Sequence, residues 1–317
     1  MNSLELYEKS DNDLSIAPAG LDKSFLDRWI SFLDVSPQTL DTYTKSLKQF
    51  FAFLLEIGEG RPTRETILDF KEHLRKDHKP TTIQTYLAAV RLFFQWTDQE
   101  GIYPNIAAHV KGVRPSPGHK KDYLTSKQAR QLLTSIDRST VKGARDYALI
   151  SLMLTTGLRT ISVVRADVGD IRTVGDDVVL FHQGKGREEK ASYVVLADHV
   201  DQAIREYLAK RKFREPADPL FASLSNHNKS GRLSTRSLRR IVKDRLRDIS
   251  MDSDRLTAHS LRHTAATLNL LNGGSLEETR QLLDHSSINT TMIYSHALDR
   301  QKNTSEKRIS KSIFGEE

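Results

Sequence analysis

Residues 257–271 read TAHSLRHTAATLNLL, and this stretch decides how the last third of the chain folds. Its pattern predicts a helix whose first turns carry His259, Arg262 and His263. His259 and Arg262 are three residues apart, so they share one face of that helix. The free N–H groups and the dipole at the start of a helix favour anions. An arginine added there predicts a phosphate-binding site.

The segment that follows adds two more chemical groups. Ser275 and Glu278 form a capping pair that predicts a second helix, which we expect to end at His285. Tyr294 lies nine residues after His285. A single histidine or tyrosine is usually structural, so these residues become informative only together with the segments that precede them.

Those preceding segments predict a helix and a hairpin. An apolar helix from about Ala144 to Thr155 is expected to end near Gly157. Further along, DDVVLFHQ (176–183) and ASYVVLAD (191–198) read as strands joined by the turn GKGREEK (184–190). Lys185 stands at the tip of that turn, although GKG alone is a common hairpin sequence. We interpret His182, inside the first strand, as structural.

The N-terminal part of the chain reads as helical and contains an internal repeat. Ten residues between Pro37 and Gly58 match ten between Pro80 and Gly101, always at an offset of 43. The repeat predicts two similar helices within one helical domain at residues 21–112, with the aromatic residues in its core. Residues 1–20 are polar and aperiodic, which predicts a flexible tail.

A basic segment separates this domain from the rest. Residues 113–122 read VRPSPGHKKD, and their prolines, glycine and cations predict a linker. The second domain, residues 123–317, would begin at Tyr123, and Thr125 with Gln128 predicts a capping box for its first helix. In fold class, the chain should be mainly α with a small β-sheet.

Composition limits the classes of function. The net charge is +7 and the pI about 9.4, which is compatible with a polyanionic partner. There are no cysteines, so disulfides and thiolate metal sites are excluded. We see no metal-ligand cluster, nucleotide-cradling loop, membrane-spanning run or export signal. We therefore expect no cofactor, no metal, no membrane association and a cytoplasmic location.

Several polar side chains are candidates for contact with a nucleic-acid backbone. In the helix STRSLRRIVKDRLRDI (234–249) the apolar residues lie on one side and the cations largely elsewhere. A solvated charged face is the simpler explanation, but the few compensating acids favour a phosphate-facing helix. The candidates are Lys45, Lys48, Gln84, Arg91, Lys120, Lys121, Arg236, Arg239, Arg240 and Lys243.

Taken together, these segments resemble the tyrosine recombinase family, also called phage integrases. The resemblance spans about residues 21–300 and rests on an ordered set that is hard to meet by accident: Arg159, Lys185, His259 with Arg262, His285 and Tyr294. It implies an N-terminal helical, SAM-like core-binding domain and a mixed α/β catalytic domain. It also implies a site-specific recombinase that acts on double-stranded DNA as a homo-tetramer.

The resemblance implies a role for each residue of the set. Arg159 and Arg262 would grip the scissile phosphate, and Tyr294 would attack phosphorus to form a 3′-phosphotyrosyl link. The remaining members of the set would act as follows: His259 as proton acceptor, Lys185 as general acid, His285 as a hydrogen-bond partner of a phosphate oxygen, and His263 as a supporting residue. If the turn were shifted, Arg187 or Lys190 could take the place of Lys185.

Two positions depart from the family pattern. The family carries an acid three residues after the first arginine, where this chain has Ser162, and that acid is thought to orient the arginine. Another carboxylate, such as Asp167, could substitute for it. The family carries a glycine directly before the histidine that corresponds to His285, and this chain has Asp284 there. Neither change removes a group that performs the chemistry.

The sequence leaves the biological setting open. An integrase, a transposon recombinase and a chromosome-dimer resolvase of the Xer type all fit, with or without an accessory or partner recombinase. Two other functions remain as alternatives: a type IB topoisomerase, and a catalytically inactive DNA-binding accessory protein. The complete set of chemical groups argues against the inactive protein.

Overall fold

The chain folds into two compact units. The computed structural model describes residues 3–9, 13–17, 20–21, 23–114, 122–184, 189–212 and 215–315. The first unit is Met1–Gly118 and the second His119–Glu317, so the break falls inside the segment predicted as a linker.

The first residues of the chain contain three short strands. These are β1 (Ser3–Lys9), β2 (Asp13–Ala17) and β3 (Gly20–Leu21), with β1 antiparallel to β2 and parallel to β3. We predicted no strand here. The alternation of leucine with polar residues in SLELYEK is strand-like, but it is too short to stand out in a polar segment. The flexibility expected of residues 1–20 stays a prediction.

Four helices make up the rest of the first unit, and the two repeated segments become a matched pair. Each repeat helix begins with proline at its first position, and Gly58 and Gly101 follow their ends with the same positive φ of 67°. Glycine adopts this left-handed conformation without steric cost, which explains its recurrence at both ends. The helices are α1 (Lys23–Phe32), α2 (Pro37–Ile57), α3 (Arg64–Arg75) and α4 (Pro80–Gln99).

The repeated aromatic residues form the core of this unit, as predicted. Phe50 of α2 and Phe93 and Phe94 of α4 are at most 1% exposed. The ring of Phe94 lies 5.8 Å from that of Phe50 and 5.2 Å from that of Phe93, both edge-on. Edge-on aromatic pairs add to the stabilisation that comes from burial. Trp29 and Trp96, the only tryptophans of the chain, are buried in the same cluster.

The second unit combines helices with a small sheet. The Thr125–Gln128 capping box is present at the start of its first helix, as predicted. Its elements are α5 (Ser126–Thr134), α6 (Val141–Thr156), α7 (Thr160–Arg165), β4 (Ile171–Val174), β5 (Asp177–His182), β6 (Ser192–Val195), α8 (Asp198–Arg211), α9 (Thr235–Asp248), α10 (Ala258–Leu271), α11 (Leu276–Leu282), α12 (Asn289–Lys302) and α13 (Ser305–Phe314).

The second unit contains a three-stranded sheet and a buried central helix, α6. The predicted hairpin is present as β5 and β6, which pair antiparallel with Val179 opposite Val195. We did not predict β4, which extends the sheet on the other edge of β5. Helix α6 is buried along most of its length and contacts α8, α9 and α10, so it is the central helix of the second unit.

The aromatic core gives a stability prediction. Phe94→Ala should lower the free energy of unfolding of the first unit by about 3–5 kcal/mol, because it removes a buried ring and leaves a cavity. Ile57→Ala, at a side chain that is 48% exposed, should change it by less than about 0.5 kcal/mol. Denaturant titration followed by tryptophan fluorescence reports on this unit specifically. A loss below about 1 kcal/mol for Phe94→Ala would show that the ring is not a core residue.

Candidate active site

Arg262 joins three segments of the second unit. It lies in α10 and is 3% exposed. Its Nη1 donates to the carbonyl of Gly157 at 2.6 Å, and its Nη2 donates to the carbonyl of Leu283, just after α11. Burial, and then repulsion from Arg159, lower the pKa of Arg262 to about 10. The guanidinium therefore remains charged at neutral pH.

Gly157 is required by both conformation and packing. It ends α6, as predicted, with a φ of 63°. A Cβ atom at this position would lie 2.7 Å from Leu283 Cδ2 and 3.3 Å from Ala265 Cβ. A larger residue would therefore force the Leu283 side chain to move and would crowd α10, beside the two carbonyls that hold Arg262.

Arg159 lies directly after that turn, at the N-cap of α7. Its side chain is 25% exposed, and its Nη1 and Nη2 lie 3.5 and 3.4 Å from the carbonyl oxygen of Asp284. The carboxylate of Asp284 is 3.9 Å from Nη1. Arg159 and Arg262 thus meet at the segment formed by Leu283 and Asp284.

The carboxylate beside Arg159 is not the one that we suggested from the sequence. Asp167 instead accepts hydrogen bonds from Lys190, at 2.6 Å, and from Arg232, and these contacts lower the pKa of its carboxyl against the effect of burial. Ser162 is buried, and its hydroxyl donates to the carbonyl of Gln183 at 2.9 Å. The sequence showed Asp284 as a replacement for glycine, but its proximity to Arg159 gave no signal, because the two residues are 125 positions apart.

Tyr294 lies in α12 and is 4% exposed. Its hydroxyl oxygen is 2.8 Å from His263 Nδ1. Burial raises the pKa of Tyr294, and the charges of Arg262 and Arg159 offset part of that rise. The phenol is therefore protonated at neutral pH, in a position where two cations would stabilise its anion.

The two histidines of α10 lie differently with respect to Tyr294. We expected His259 to be the proton acceptor and His263 a supporting residue, and it is the His263 ring that contacts the Tyr294 hydroxyl. His263 is buried, whereas His259 is exposed and meets His263 edge-on at a ring distance of 4.5 Å. The spacing along one helix could not reveal this, because the packing of α10 against α12 selects which histidine the tyrosine meets.

His285 lies just beyond α11, which ends at Leu282 rather than at His285 as predicted. Its Nδ1 is 2.8 Å from the hydroxyl oxygen of Thr291, a residue that we did not single out. Burial, followed by the charges of Arg262 and Arg159, lowers the pKa of His285 to about 4. The imidazole is therefore neutral at pH 7.

The hairpin candidates are only partly described. Lys185 and Arg187 lie outside the described residues. Lys190 lies at the base of the hairpin, where its ammonium bonds to the carboxylates of Asp167 and Asp170. These contacts fix Lys190 to the segment before β4.

The predicted DNA contacts divide into three groups. Gln84 and Arg91 donate to the carbonyls of Val113 and Val110 at 2.7 and 2.6 Å, so both hold the segment after α4. Lys45 is exposed beside Asp41, and Lys48 is also exposed. Lys120 and Lys121 lie outside the described residues.

Helix α9 carries fewer uncompensated cations than its sequence suggested. Arg240 lies 3.8 Å from Asp244, and Lys243 lies 2.6 Å from Asp252. Arg236 and Arg239 are exposed, and neither makes an ion pair with any residue that the structure describes. These two arginines are the cations of the helix with the most freedom to meet an external anion.

The described residues contain neither a metal-binding cluster nor a membrane-spanning helix. Within the described ranges, no group of three or more histidines and acids is arranged to hold a metal ion. Among the helices of the described residues, none combines the length and the apolar character that crossing a membrane requires.

Comparison with known proteins identifies the family of the chain. The phage integrase family profile matches residues 122–301, and the profile of the phage integrase N-terminal SAM-like domain matches residues 23–101. Tyrosine recombinase XerC of Chlamydia caviae is 30% identical over 314 residues, which cover 90% of this chain and 96% of that protein. Tyrosine recombinase XerC of Bacillus subtilis is 26% identical, with coverage of 86% and 92%.

A solved structure shares the fold. The XerH site-specific recombinase bound to palindromic difH substrate, in a post-cleavage complex, superposes with a TM-score of 0.70 at 21% identity, covering 93% of this chain and 84% of that one. The expected fold class, a SAM-like helical domain and a catalytic domain with a small sheet, is confirmed. The chain therefore belongs to the phage integrase family and is a tyrosine-type site-specific recombinase.

Proposed function

We propose that the chain cuts and rejoins double-stranded DNA with Tyr294 as its nucleophile. The observation that carries the proposal is that the Tyr294 hydroxyl, Arg159, Arg262 and His285 share one site. The phenolic oxygen would bond to phosphorus while the bond from phosphorus to the 5′ oxygen breaks, leaving a 3′-phosphotyrosyl link. Because that link conserves the energy of the broken phosphodiester, rejoining needs no ATP.

The two arginines would hold the scissile phosphate. A guanidinium stays charged and binds phosphate oxygens with two parallel hydrogen bonds. Arg262 already uses two N–H groups on the carbonyls of Gly157 and Leu283, so its orientation is fixed before DNA arrives. Cations fixed in advance lower the barrier because negative charge grows on those oxygens in the transition state.

His263 would hold Tyr294 in the resting state, and His259 would accept its proton during attack. His263 is buried and its ring already contacts the Tyr294 hydroxyl, which suits a holding role. His259 is exposed, and its ring lies 4.5 Å from that of His263. It also stands in the first turn of α10, where a bound phosphate would lie within its reach.

His285 and Lys185 would complete the chemistry. If the Thr291 hydroxyl donates to His285 Nδ1, the neutral ring keeps its proton on Nε2 and can donate it to a phosphate oxygen. Lys185, which lies between β5 and β6 in the sequence, would protonate the leaving 5′ oxygen as general acid. No step in this scheme calls for a cofactor or a metal ion.

The enzyme would act as a tetramer on two DNA sites. Helix α13 supports this proposal, because Ile309, Ile313 and Phe314 are 58%, 66% and 81% exposed. Such a short helix is marginal in water unless it docks on another surface. A neighbouring protomer would provide that surface and pass its own tail onward around the ring.

The relatives favour one of the biological settings. Proteins named XerC match nearly the whole chain, so we propose a resolvase or integrase of the Xer type ahead of a transposon recombinase. The enzyme would work in the cytoplasm, with or without a partner recombinase. Exposed cations such as Arg236, Arg239 and Lys48, together with the linker lysines Lys120 and Lys121, would contact the DNA backbone.

The central prediction concerns the nucleophile. Tyr294→Phe should bind DNA normally and form no covalent adduct on a suicide substrate, in which the cut strand loses a short 5′ fragment. The incubation contains EDTA and no ATP. The adduct is detected on a denaturing gel, and affinity is measured by gel shift. Adduct of normal yield from Tyr294→Phe would exclude Tyr294 as the nucleophile, and strand exchange by the wild type distinguishes a recombinase from a topoisomerase.

A second prediction follows from the neutral His285. Its pKa is about 4 in the folded protein against 6.5 when unperturbed, so the unfolded state binds more protons between these values. Stability should therefore fall as the pH drops from 6.5 to 4, and His285 should contribute no pH dependence above that window. Calorimetric unfolding of His285→Asn should show a shallower fall than the wild type. Parallel curves from pH 6.5 to 4.5 would contradict the depressed pKa.

A third prediction concerns α13. Deletion of residues 305–317 should leave binding to a half-site nearly unchanged, because the tail packs on a neighbour rather than on its own active site. The truncated protein should lose cooperative filling of the full site and strand exchange, measured by gel-shift titration and a recombination assay. The matched control is Lys307→Ala, which changes the polar part of the same helix. Cooperative filling and normal exchange by the truncated protein would show that the tail has no role in assembly.

A further inference from the structure

Asp284 has a backbone conformation that its residue type disfavours. Its φ is 47°, in the left-handed region, directly after the C-cap Leu283 of α11. Glycine is the usual residue at such a position, because it has no Cβ atom to oppose this conformation. An aspartate here costs stability that glycine would not, so its side chain is expected to make a compensating interaction.

Both acceptor groups of Asp284 lie beside Arg159. The carbonyl oxygen lies 3.4 and 3.5 Å from the two terminal nitrogens of the guanidinium, and carboxylate Oδ2 lies 3.9 Å from Nη1. The longer distance exceeds that of a hydrogen bond, so the carboxylate acts through its charge. The two side chains are 25% and 28% exposed, which limits screening of that charge by water.

The other residues that could orient Arg159 are engaged elsewhere. Ser162 follows Arg159 by one helical turn, but its hydroxyl bonds to the carbonyl of Gln183. Asp167 is held by Lys190 and Arg232. Among the described residues, Asp284 is thus the acid that makes an ion pair with Arg159.

The carboxylate of Asp284 lies near two arginines that carry the same charge. Arg159 and Arg262 repel each other, and that repulsion helps to lower the pKa of Arg262, whereas Asp284 acts in the opposite direction. Before a phosphate arrives, a carboxylate next to Arg159 offsets the repulsion between the two cations. A guanidinium has five N–H donors, so Arg159 can keep this contact and still bind phosphate oxygens.

We propose that Asp284 is a positioning residue that orients Arg159 for the scissile phosphate, and that it substitutes for the acid absent at position 162. The two departures from the family pattern, Ser162 and Asp284, are then linked: the carboxylate missing at position 162 is supplied at position 284. This inference rests on the proposed role of Arg159 in phosphate binding.

Three variants separate the charge from the backbone. Asp284→Asn keeps a residue that tolerates positive φ and removes the charge. Asp284→Gly removes the charge and relaxes the backbone, so its melting temperature should equal or exceed that of the wild type. Asp284→Glu keeps the charge on a longer arm. The matched control is Asp201→Asn, which breaks the ion pair with Arg205 on α8, at 2.6 Å, in the same unit.

The measurement is the single-turnover rate of adduct formation on suicide DNA, beside the dissociation constant from gel shift. The Asn and Gly variants should lose roughly tenfold to a hundredfold in rate, as expected when a catalytic group is slightly misplaced, with little change in affinity. The Glu variant should recover part of the rate, and Asp201→Asn should behave as the wild type. In an Arg159→Ala background, Asp284→Asn should have no further effect.

Several outcomes would overturn the inference. These are a normal or faster rate for Asp284→Asn, a defect in the Gly variant alone, or an equal loss with and without Arg159. If Asp284→Asn does not fold, a comparison of the Gly and Glu variants decides in its place, because only the charge predicts that Glu exceeds Gly. Absence of adduct from the wild type would overturn the proposed function and this inference together, whereas a normal wild-type adduct with an unaffected Asn variant overturns the inference alone.

Discussion

The structure of the catalytic unit depends on a buried charge, the guanidinium of Arg262. It is almost fully removed from water and is satisfied by the carbonyls of Gly157 and Leu283. Backbone oxygens solvate the cation without neutralising it, so its full charge remains available at the site. The same two bonds fasten the ends of α6 and α11 to α10. The arginine that we propose for phosphate binding thus also holds three helices together, so a loss of activity on its removal would reflect both roles.

Local sequence signals predicted the parts of the fold that local physics decides. The repeat beginning at Pro37 and Pro80, the capping pair at Thr125 and the glycine at 157 all correspond to features seen in the structure. The hydrogen bond between His263 and Tyr294 had no such signal. It joins residues 31 positions apart, and the packing of α12 on α10 decides which histidine is reached. The contact between Arg159 and Asp284 was hidden for the same reason.

The number of basic residues in a helix does not equal the number of unpaired cations that it exposes, as α9 shows. Helix α9 looked strongly cationic, yet Asp244 and Asp252 pair with several of its basic groups. Arg245, on the same helix, turns inward to the buried carboxylate of Asp146, which also accepts from Arg145. That contact fixes α9 to α6. Arg245 therefore stabilises the packing of the helix, whereas Arg236 and Arg239 remain exposed to solvent.

The burial of Tyr294 has a consequence for the cell that carries this protein. A recombinase meets far more random DNA than target sites, and an exposed nucleophile would nick the chromosome wherever the protein paused. Here the phenol is 4% exposed, protonated and bonded to His263. If Tyr294 is the nucleophile, as proposed, the resting molecule presents no reactive hydroxyl to the DNA that it searches, and the free energy needed to release the tyrosine would come from the correct complex. A buried Tyr294 would thus limit cleavage at DNA sequences other than the target.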